Sequence, residues 1–350
     1  SLRQGRRKTN AQLSGDHKAG GAGFSDPLVL HARAMTETTS QTRAGFAAII
    51  GAPNAGKSTL VNRMVGAKVS IVTQKVQTTR FPVRGVAIAG DTQIVLVDTP
   101  GIFSPRRRLD RAMVRAAWAG SEEAEATVHL VDVQAELASR ADKATPGEYR
   151  SAQDVQTIIE GLKAADRKVI LALNKIDGIK RDTLLAVAKD FFDTGVYSDV
   201  FMISASTGAG VDDLTAKLVT MMPEGPWLYP EDQTADLPAR LLAAEITREK
   251  VYLRVHEELP YAATVETTAF EERKDGSVRI EQTILVEREG QRVIVIGKGG
   301  QTLKWIGQAS REELCDILDR KVHLFLHVKV KENWAEERGL FSDIGLDFDV

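Results

Sequence analysis

The sequence predicts an α/β domain, built on a mostly parallel β-sheet with helices on both faces, followed by a smaller α+β domain. Five short apolar runs lie at residues 46–50, 94–97, 127–131, 169–173 and 200–203, and polar segments of helix length separate them. Runs of this kind, bounded by helical segments, indicate parallel strands buried on both faces. From about residue 239 onwards, the sequence predicts a helix, two strands, a helix and a final strand, which indicates the second domain.

Composition limits the classes of protein that these patterns allow. The chain has 350 residues, of which 43% are hydrophobic and 27% charged, so it is long enough to build two compact cores. No apolar run approaches the roughly 18 residues that span a bilayer. Cys315 is the one cysteine in the sequence, so it has no partner for an internal disulfide or a thiolate metal site. A reducing compartment fits best, and we predict a cytoplasmic protein.

The formal net charge of −2 excludes a global nucleic-acid signature, so any RNA contact must use a local basic surface. Residues 1–34 are rich in small and polar residues and lack hydrophobic periodicity, which predicts disorder. This segment is interpreted as a tag remnant or upstream extension, with a nucleic-acid-binding tail as the weaker alternative.

Four segments are predicted along the chain. Prolines recur between residues 223 and 238, where they cannot continue a helix or a central strand. We therefore predict a tail over residues 1–44, the α/β domain over 45–222, a linker over 223–238 and the α+β domain with a C-terminal tail over 239–350.

The first chemical motif directly follows the first apolar run. In parallel sheets, ligands bind beyond the carboxyl ends of the strands. Residues 51–58 read Gly-Ala-Pro-Asn-Ala-Gly-Lys-Ser and match the P-loop pattern GxxxxGK[ST]. Backbone N–H groups of such a loop bind phosphate, Lys57 would reach the β and γ phosphates, and the Ser58 hydroxyl would bind Mg²⁺. The predicted nucleotide contacts here are Gly51, Ala52, Pro53, Asn54, Ala55, Gly56, Lys57, Ser58 and Thr59.

A second motif, Asn174-Lys-Ile-Asp177, follows the fourth apolar run and selects the base. The Asp177 carboxylate can accept hydrogen bonds from both N1–H and the N2 amine of guanine, whereas adenine offers neither donor, so GTP and GDP are the predicted ligands. Asn174 would brace the loop, and the Lys175 stem would lie along the base. Backbone N–H groups after the fifth run would meet the guanine O6, and they belong to Ser204, Ala205 and Ser206.

Two further segments are predicted to sense the γ phosphate. Asp98 ends the second apolar run and would hold Mg²⁺ through a water, while Thr79 would reach Mg²⁺ only in the presence of the γ phosphate. The Gly101 N–H would meet that phosphate. The nucleotide contacts of this segment are Asp98, Thr99, Pro100 and Gly101, and the predicted catalytic residues are Lys57, Thr79, Gly101 and Asn54.

These motifs, in this order and with Pro53 and Asn54 in the P-loop, resemble those of the translation-factor-related bacterial GTPases, specifically the Era family. Segments 245–250, 258–261, 284–290 and 328–334 are similar to the C-terminal domain of that family, so the resemblance covers about residues 45–348. It implies binding to the 3′ end of 16S rRNA and a role in maturation of the 30S subunit. A monomer is expected, and a peripheral contact with the cytoplasmic face of the inner membrane stays open. Ser139–Ser151 departs from the family pattern as a longer loop.

The residue that follows Gly101 is also informative. Ras-like proteins carry a glutamine there to orient the attacking water, but this sequence has Ile102. The resemblance points to GTPases in which Asn54 helps to hold a K⁺ ion, whose charge does part of the work of an arginine finger. The alternative is that Asn54 is only a loop-stabilising amide.

A candidate RNA site lies in the second domain. Gly297-Lys-Gly-Gly300 stands between the apolar segment 293–296, interpreted as a strand, and a helix predicted over 301–319. The pattern GxxG in this setting is the signature of a KH domain, and a helix before the first two strands favours the type II arrangement. An ordinary glycine turn is the alternative. The predicted RNA contacts are Gly297, Lys298, Gly299, Gly300, Lys304, Gln308 and Arg311.

Two functions of different class remain. In the first, GTP hydrolysis times the binding and release of ribosomal RNA. In the second, the protein is an RNA-binding module whose bound nucleotide rarely turns over. The presence of Lys57, Ser58, Thr79 and Asp98 together favours the first. A tRNA-modifying GTPase is disfavoured because the terminal cysteine motif of that class is missing.

Overall fold

The structure, a computed structural model, describes residues 42–255 and 259–350. The tail predicted over residues 1–44 lies outside the described residues except for its last three. Arg43 and Ala44 already belong to the first strand, which runs from Arg43 to Ile50.

The first part of the described chain forms a seven-stranded sheet in the order β6-β5-β4-β1-β3-β2-β7. Its strands are β1 Arg43–Ile50, β2 Val83–Ala89, β3 Thr92–Asp98, β4 Ala126–Asp132, β5 Val169–Asn174, β6 Tyr197–Met202 and β7 Ala235–Asp236. The helices are α1 Lys57–Val65, α2 Arg108–Glu123, α3 Val133–Arg140, α4 Pro146–Ala164, α5 Arg181–Phe192 and α6 Val211–Met221. Strands β6, β5, β4, β1 and β3 are parallel, while β2 and β7 are antiparallel to their neighbours, so the predicted mostly parallel sheet is confirmed.

Both faces of this sheet are covered, as the apolar runs predict. Successive strand residues point to opposite faces, and Ile49 and Ile50 accordingly belong to different hydrophobic clusters. One cluster includes Leu60 of α1 and Leu214 of α6, and the other includes Ile158 of α4. The two packed layers hold the carboxyl ends of the parallel strands at one edge, where the sequence motifs lie.

The second part forms a three-stranded sheet in the order β10-β9-β8, with β8 antiparallel and β10 parallel to β9. Its elements are α7 Ala239–Arg254, β8 Ala263–Glu272, β9 Val278–Val286, α8 Glu289–Ile296, α9 Gln301–Leu318 and β10 Val322–Val330, and helix α10 Arg338–Asp343 follows. Two helices, α8 and α9, flank the glycine-rich loop.

One local prediction was wrong. The apolar segment 293–296 is the end of α8 and not a strand. Val295 is buried in the core, but Val293 and Ile294 are exposed. An apolar run of four residues has no periodicity that could separate a helix from a strand, so only its packing decides.

The stretch Ser139–Ser151, predicted as a long loop, is also mostly helical. It contains the end of α3 and the first turns of α4, and only residues 141–145 lie between the two helices. Thr145 caps α4, since its hydroxyl accepts from Glu148 N while Glu148 Oε2 accepts from Thr145 N. With Pro146 at the first helical position, this is a capping box, which explains why the helix begins there.

The proline-rich segment 223–238 lies along the sheet edge. Gly225 N donates to Thr42 O at 2.9 Å, and Gln93 Oε1 accepts from the backbone N–H groups of Leu228 and Tyr229. Its residues Ala235–Asp236 form β7 against β2. Within the described residues, no helix is long and apolar enough to cross a membrane.

The C-terminal residues join the second part of the chain to α2. Trp334 and Phe341 are fully buried in a cluster with Leu109 and Met113 of α2. Trp334 Nε1 donates to Ala262 O at 3.1 Å. Segments before residue 223 and after residue 238 therefore share one hydrophobic core.

We predict that Phe341→Ala lowers the free energy of unfolding by about 3–5 kcal/mol, because it leaves a cavity in this shared core. Urea unfolding followed by tryptophan fluorescence measures the change. Phe192→Ala is the matched control, since Phe192 is 49% exposed. An equal loss in both variants would show that the shared core does not depend on Phe341.

Candidate functional site

The P-loop joins β1 to α1, and its shape depends on two glycines. A Cβ on Gly51 would overlap Leu130 O, and one on Gly56 would overlap Asn174 Nδ2. Both residues have positive φ, 155° and 100°, which other residues rarely adopt. Helix α1 begins at Lys57, so its N-terminus opens into this loop. The arrangement is an anion-binding site of the kind that phosphates occupy.

Lys57 is buried beneath the loop. Its Nζ donates to Gly51 O at 3.1 Å and to Ala52 O at 2.9 Å. Burial lowers the pKa of Lys57 to about 8, against the attraction of Asp98 and Asp154. The ammonium group is thus tied to the loop that it would complete around a phosphate.

Three oxygen-bearing side chains from different parts of the chain meet beside Lys57. Ser58 Oγ donates to Asp98 Oδ2 at 2.7 Å and shares a hydrogen bond of 3.0 Å with Thr79 Oγ1. Thr79 Oγ1 donates to the same carboxylate oxygen at 3.3 Å. Burial raises the pKa of Asp98, partly opposed by these hydroxyl groups and by Lys57.

This cluster fits a hard cation. The buried Asp98 Oδ1 has no hydrogen-bond partner within the described part of the chain. An orphaned carboxylate oxygen is costly to bury, and two hydroxyl oxygens bond the other oxygen of the same carboxylate. Oxygen ligands of this type are those that Mg²⁺ prefers.

Asn174 connects the P-loop to the loop after β6. Its Nδ2 donates to Ala55 O at 2.7 Å, and its Oδ1 accepts from Ala205 N at 2.9 Å. Ser204 N donates to Ala209 O. Of the three N–H groups predicted for the guanine O6, that of Ser206 is therefore the one without an acceptor among the described residues.

The other residues of the base motif lie at the same edge. Asp177 Oδ2 accepts from Ser204 Oγ at 3.0 Å. Lys175 Nζ donates to Asn54 O at 2.9 Å and to Asp132 Oδ2 at 2.5 Å. The remaining predicted contacts lie beside these residues. Ala52, Pro53 and Ala55 are in the P-loop, Thr59 is in the first turn of α1, and Thr99 and Pro100 directly follow β3.

Asn54 and Ile102 lie in different environments. Asn54 has φ of 62°, and its Nδ2 donates to Gln74 O at 2.8 Å, which links the P-loop to the segment between α1 and β2. Ile102 is buried in the core beneath the sheet and offers no polar group. A Cβ on Gly101 would lie 2.9 Å from Pro53 N, so the chain after β3 approaches the P-loop as closely as glycine allows.

The glycine-rich loop of the second sheet is open. Gly297, Gly299 and Gly300 have φ of 73°, 58° and 77°, and no atom lies within 4 Å of a Cβ built on Gly299 or Gly300. Lys298, Lys304, Gln308 and Arg311 are exposed, and Gln308 Nε2 donates to Glu312 Oε1 at 2.9 Å. Leu314 faces the core as predicted.

Sequence reasoning missed two sets of residues. Asp132 follows an apolar run at the carboxyl end of β4, so the rule that located the other motifs could have found it. Arg80 and Arg248 are both buried, at 4% and 1% exposure, and they lie where the second part of the chain packs on the P-loop domain. No local pattern indicates that they meet.

A phosphate loop and a guanine-selecting motif at the carboxyl edge of a mostly parallel sheet define a P-loop GTPase, and the second sheet with its GxxG loop defines a KH domain. The family described as 50S ribosome-binding GTPase matches residues 46–175, and the KH domain family matches residues 258–335. GTPase Era of Caulobacter vibrioides is 98% identical over 316 residues, which cover 90% of this chain and all of that protein. GTPase Era of Maricaulis maris is 60% identical over 308 residues, 88% of this chain and 98% of its own.

Solved structures agree with the sequence relatives. A variant of Aquifex aeolicus Era bound to GDP·AlF₄⁻ is 37% identical with a TM-score of 0.77, and the match covers 87% of this chain and 99% of that one. A structure of Era in complex with MgGDPNP and nucleotides 1506–1542 of 16S ribosomal RNA is 36% identical with a TM-score of 0.76, at the same coverage of both chains. The chain belongs to the Era family of GTPases.

We predict that Asp177→Asn weakens GTP binding at least about tenfold and favours xanthosine triphosphate, because an amide can donate to the C2 carbonyl of xanthine. Competition between the two nucleotides against a fluorescent GDP derivative measures the preference. Asp182→Asn, an exposed change in the first turn of α5, is the control. An unchanged preference for GTP in Asp177→Asn would contradict the base-reading role.

Proposed function

We propose that this chain is a GTP-driven switch that binds the 3′ end of 16S rRNA through its KH domain and acts in assembly of the small ribosomal subunit. The observation that carries the switch is the convergence of Ser58, Thr79 and Asp98 on one buried cluster. A hydroxyl from a loop, held against a carboxylate at the end of a strand, can respond to the γ phosphate. The Era structure with 16S rRNA supports the RNA partner.

In this proposal the nucleotide lies along the carboxyl edge of the sheet. Lys57 contacts the β and γ phosphates, the Gly101 N–H contacts the γ phosphate, and Asp177 accepts from the base. Bound Mg²⁺, held by Ser58 and Thr79 with Asp98 behind a water, would neutralise charge between the phosphates. The backbone of residues 51–59 surrounds the phosphates, and residues 98–101, 174–177 and 204–206 complete the pocket.

The RNA would pass over the open loop 297–300. Positive φ at Gly299, with free space around its Cα, allows a phosphodiester backbone to approach closely. Lys298, Lys304 and Arg311 supply exposed cations beside it, and Gln308 supplies an exposed amide. These side chains form the local basic surface that the net charge of the whole chain does not reveal.

K⁺ is proposed as a further cofactor. Ile102 is buried and cannot orient water, so the charge that assists hydrolysis must come from another group. Asn54 lies in the P-loop and bonds the loop 66–82 through its Nδ2, and its backbone carbonyl accepts from Lys175, so its side-chain Oδ1 is the oxygen proposed to bind a cation. We further propose that the protein is a cytoplasmic monomer. Any contact with the inner membrane would be peripheral, on the cytoplasmic face of that membrane.

We predict that single-turnover GTP hydrolysis is at least about tenfold faster in K⁺ than in Na⁺ at equal ionic strength, because a fitting cation stabilises the charge of the transition state. Asn54→Ala should remove this difference. Equal rates in both salts would remove the cation role, and no turnover in either would favour an RNA-binding module that only holds its nucleotide.

Substitution of Gly299 tests the RNA site. We predict that Gly299→Asp lowers the affinity for a single-stranded RNA from the 16S 3′ end by at least about tenfold, because it places a negative charge where a phosphate must pass. Aspartate tolerates left-handed backbone, so the KH domain should still fold. Fluorescence anisotropy at several salt concentrations measures the loss.

Gly276→Asp is the matched control, since Gly276 also has positive φ and open space but lies in the β8–β9 turn. Basal GTP hydrolysis should persist in both variants. If Gly299→Asp folds and binds RNA as well as Gly276→Asp, then the glycines form only a turn and the proposed RNA site is wrong.

A further inference from the structure

The segment between α1 and β2, residues 66–82, is bonded on one side by α7 and α9 of the second part of the chain. Lys68 Nζ is paired with Glu249 at 2.7 Å and with Glu313, and Val72 N donates to Glu249 Oε1 at 2.9 Å. Ile71 is buried in a cluster with apolar residues of α7. A loop of this length would ordinarily be among the less stable parts of a domain, so these contacts add to those that Asn62 and Asn54 make with it from the first domain.

The contacts are closest around Thr79. Arg248 of α7 donates through Nη2 to the carbonyl of Thr78 and to Glu245. Its Nε donates to Glu245 Oε1 at 2.8 Å. The residue before Thr79 is therefore fixed by a guanidinium that is itself held by a carboxylate on the same helix.

The residue after Thr79 is held as well. Arg80 Nη2 donates to Tyr252 Oη at 2.9 Å and to Ala263 O at 3.1 Å. Its guanidinium lies 5.2 Å from the ring centre of Trp334 and 5.9 Å from that of Tyr252. Thr79 thus lies between two residues, Thr78 and Arg80, that are both hydrogen-bonded to the KH domain.

The guanidinium groups of Arg80 and Arg248 are both buried, which costs free energy unless their N–H groups are all paired. Arg80 Nε and Nη1 and Arg248 Nη1 have no hydrogen-bond partner within the described ranges. Replacing such charges by apolar groups often leaves stability unchanged or raises it, so stability alone does not explain two buried guanidiniums with one carboxylate. Both cations, however, fix the backbone next to a hydroxyl of the proposed metal site.

We propose that Arg248 is a positioning residue of the GTPase site, which holds the Thr78 carbonyl so that the Thr79 hydroxyl stays beside Ser58 and Asp98. The proposal rests on the proposed role of Thr79 as a Mg²⁺ ligand. The KH domain then supplies part of the support of the metal site. Partners bonded directly to a metal ligand commonly change metal affinity by about 10–100-fold when they are removed. Arg248 bonds the residue before the proposed ligand, so the lower end of that range is expected.

The test is the Mg²⁺ dependence of single-turnover GTP hydrolysis at saturating GTP. Arg248→Gln should raise the Mg²⁺ concentration for half-maximal rate by about tenfold, since Thr79 is no longer held in place. Binding of GDP should not change, because Thr79 is proposed to act only with the γ phosphate. Arg248→Lys, which keeps a cation beside Glu245, should restore part of the loss.

Arg240→Ala is the matched control. Arg240 lies on the same helix and also donates to a backbone carbonyl, Thr267 O at 2.7 Å, but this carbonyl belongs to the KH domain. Its Mg²⁺ dependence should equal that of the parent. A folded Arg248→Gln protein with the parent's Mg²⁺ dependence would overturn the positioning role.

The double variant separates positioning from general destabilisation. If Arg248 acts through Thr79, then Arg248→Gln combined with Thr79→Ala should be no worse than Thr79→Ala alone, whereas additive losses would overturn the proposal. Thr79→Ala also tests the proposed function by itself. If it leaves the Mg²⁺ dependence unchanged, the role of Thr79 is wrong; if it changes the dependence and Arg248→Gln does not, only the positioning role is wrong.

Discussion

Burial of the Asp98 carboxylate at the end of β3 obliges the surrounding chain to supply donors, because an unpaired charge in the interior is costly. Ser58 comes from the start of α1, and Thr79 comes from the segment before β2. Each hydroxyl group can bond Asp98 only if the loop that carries it adopts the conformation seen here. Gly51 and Gly56 give the P-loop its shape, while the segment of Thr79 is bonded by side chains of both domains.

The two domains are consequently less separate than their sheets suggest. One hydrophobic cluster joins Leu109 and Met113 of α2 to Trp334 and Phe341 near the C-terminus. A second cluster joins Ile71 to α7. Ile71 lies in the same segment as Thr79, whereas α2 begins at Arg108, several residues after the segment Asp98–Gly101. The segment of Thr79 therefore contacts the second part of the chain directly, and the chain that follows Gly101 contacts it through α2. Packed side chains therefore connect the two sheets at two places.

At the opposite edge of the site, the hydrogen bonds of the described residues stay within the first domain. Asn174 bonds both the P-loop and Ala205, and Lys175 bonds both Asn54 and Asp132. These contacts join loops at the ends of adjacent parallel strands, so the sheet itself sets their spacing. The residues proposed to read the base are therefore held by contacts within the first domain, whereas the segment of Thr79 also contacts the second.

The sequence by itself determined the parallel sheet, the GxxG loop and the motifs that lie at the strand ends, because each is encoded by neighbouring residues. It could not decide that residues 293–296 are helical, since four apolar residues fit either structure until their packing is known. Only the tertiary structure brought Arg248 to Thr78, which lie 170 residues apart along the chain. Local sequence patterns do not predict such contacts, because a buried arginine cannot be distinguished in the sequence from any exposed charged residue of an amphipathic helix. Where it lies depends on how two domains pack.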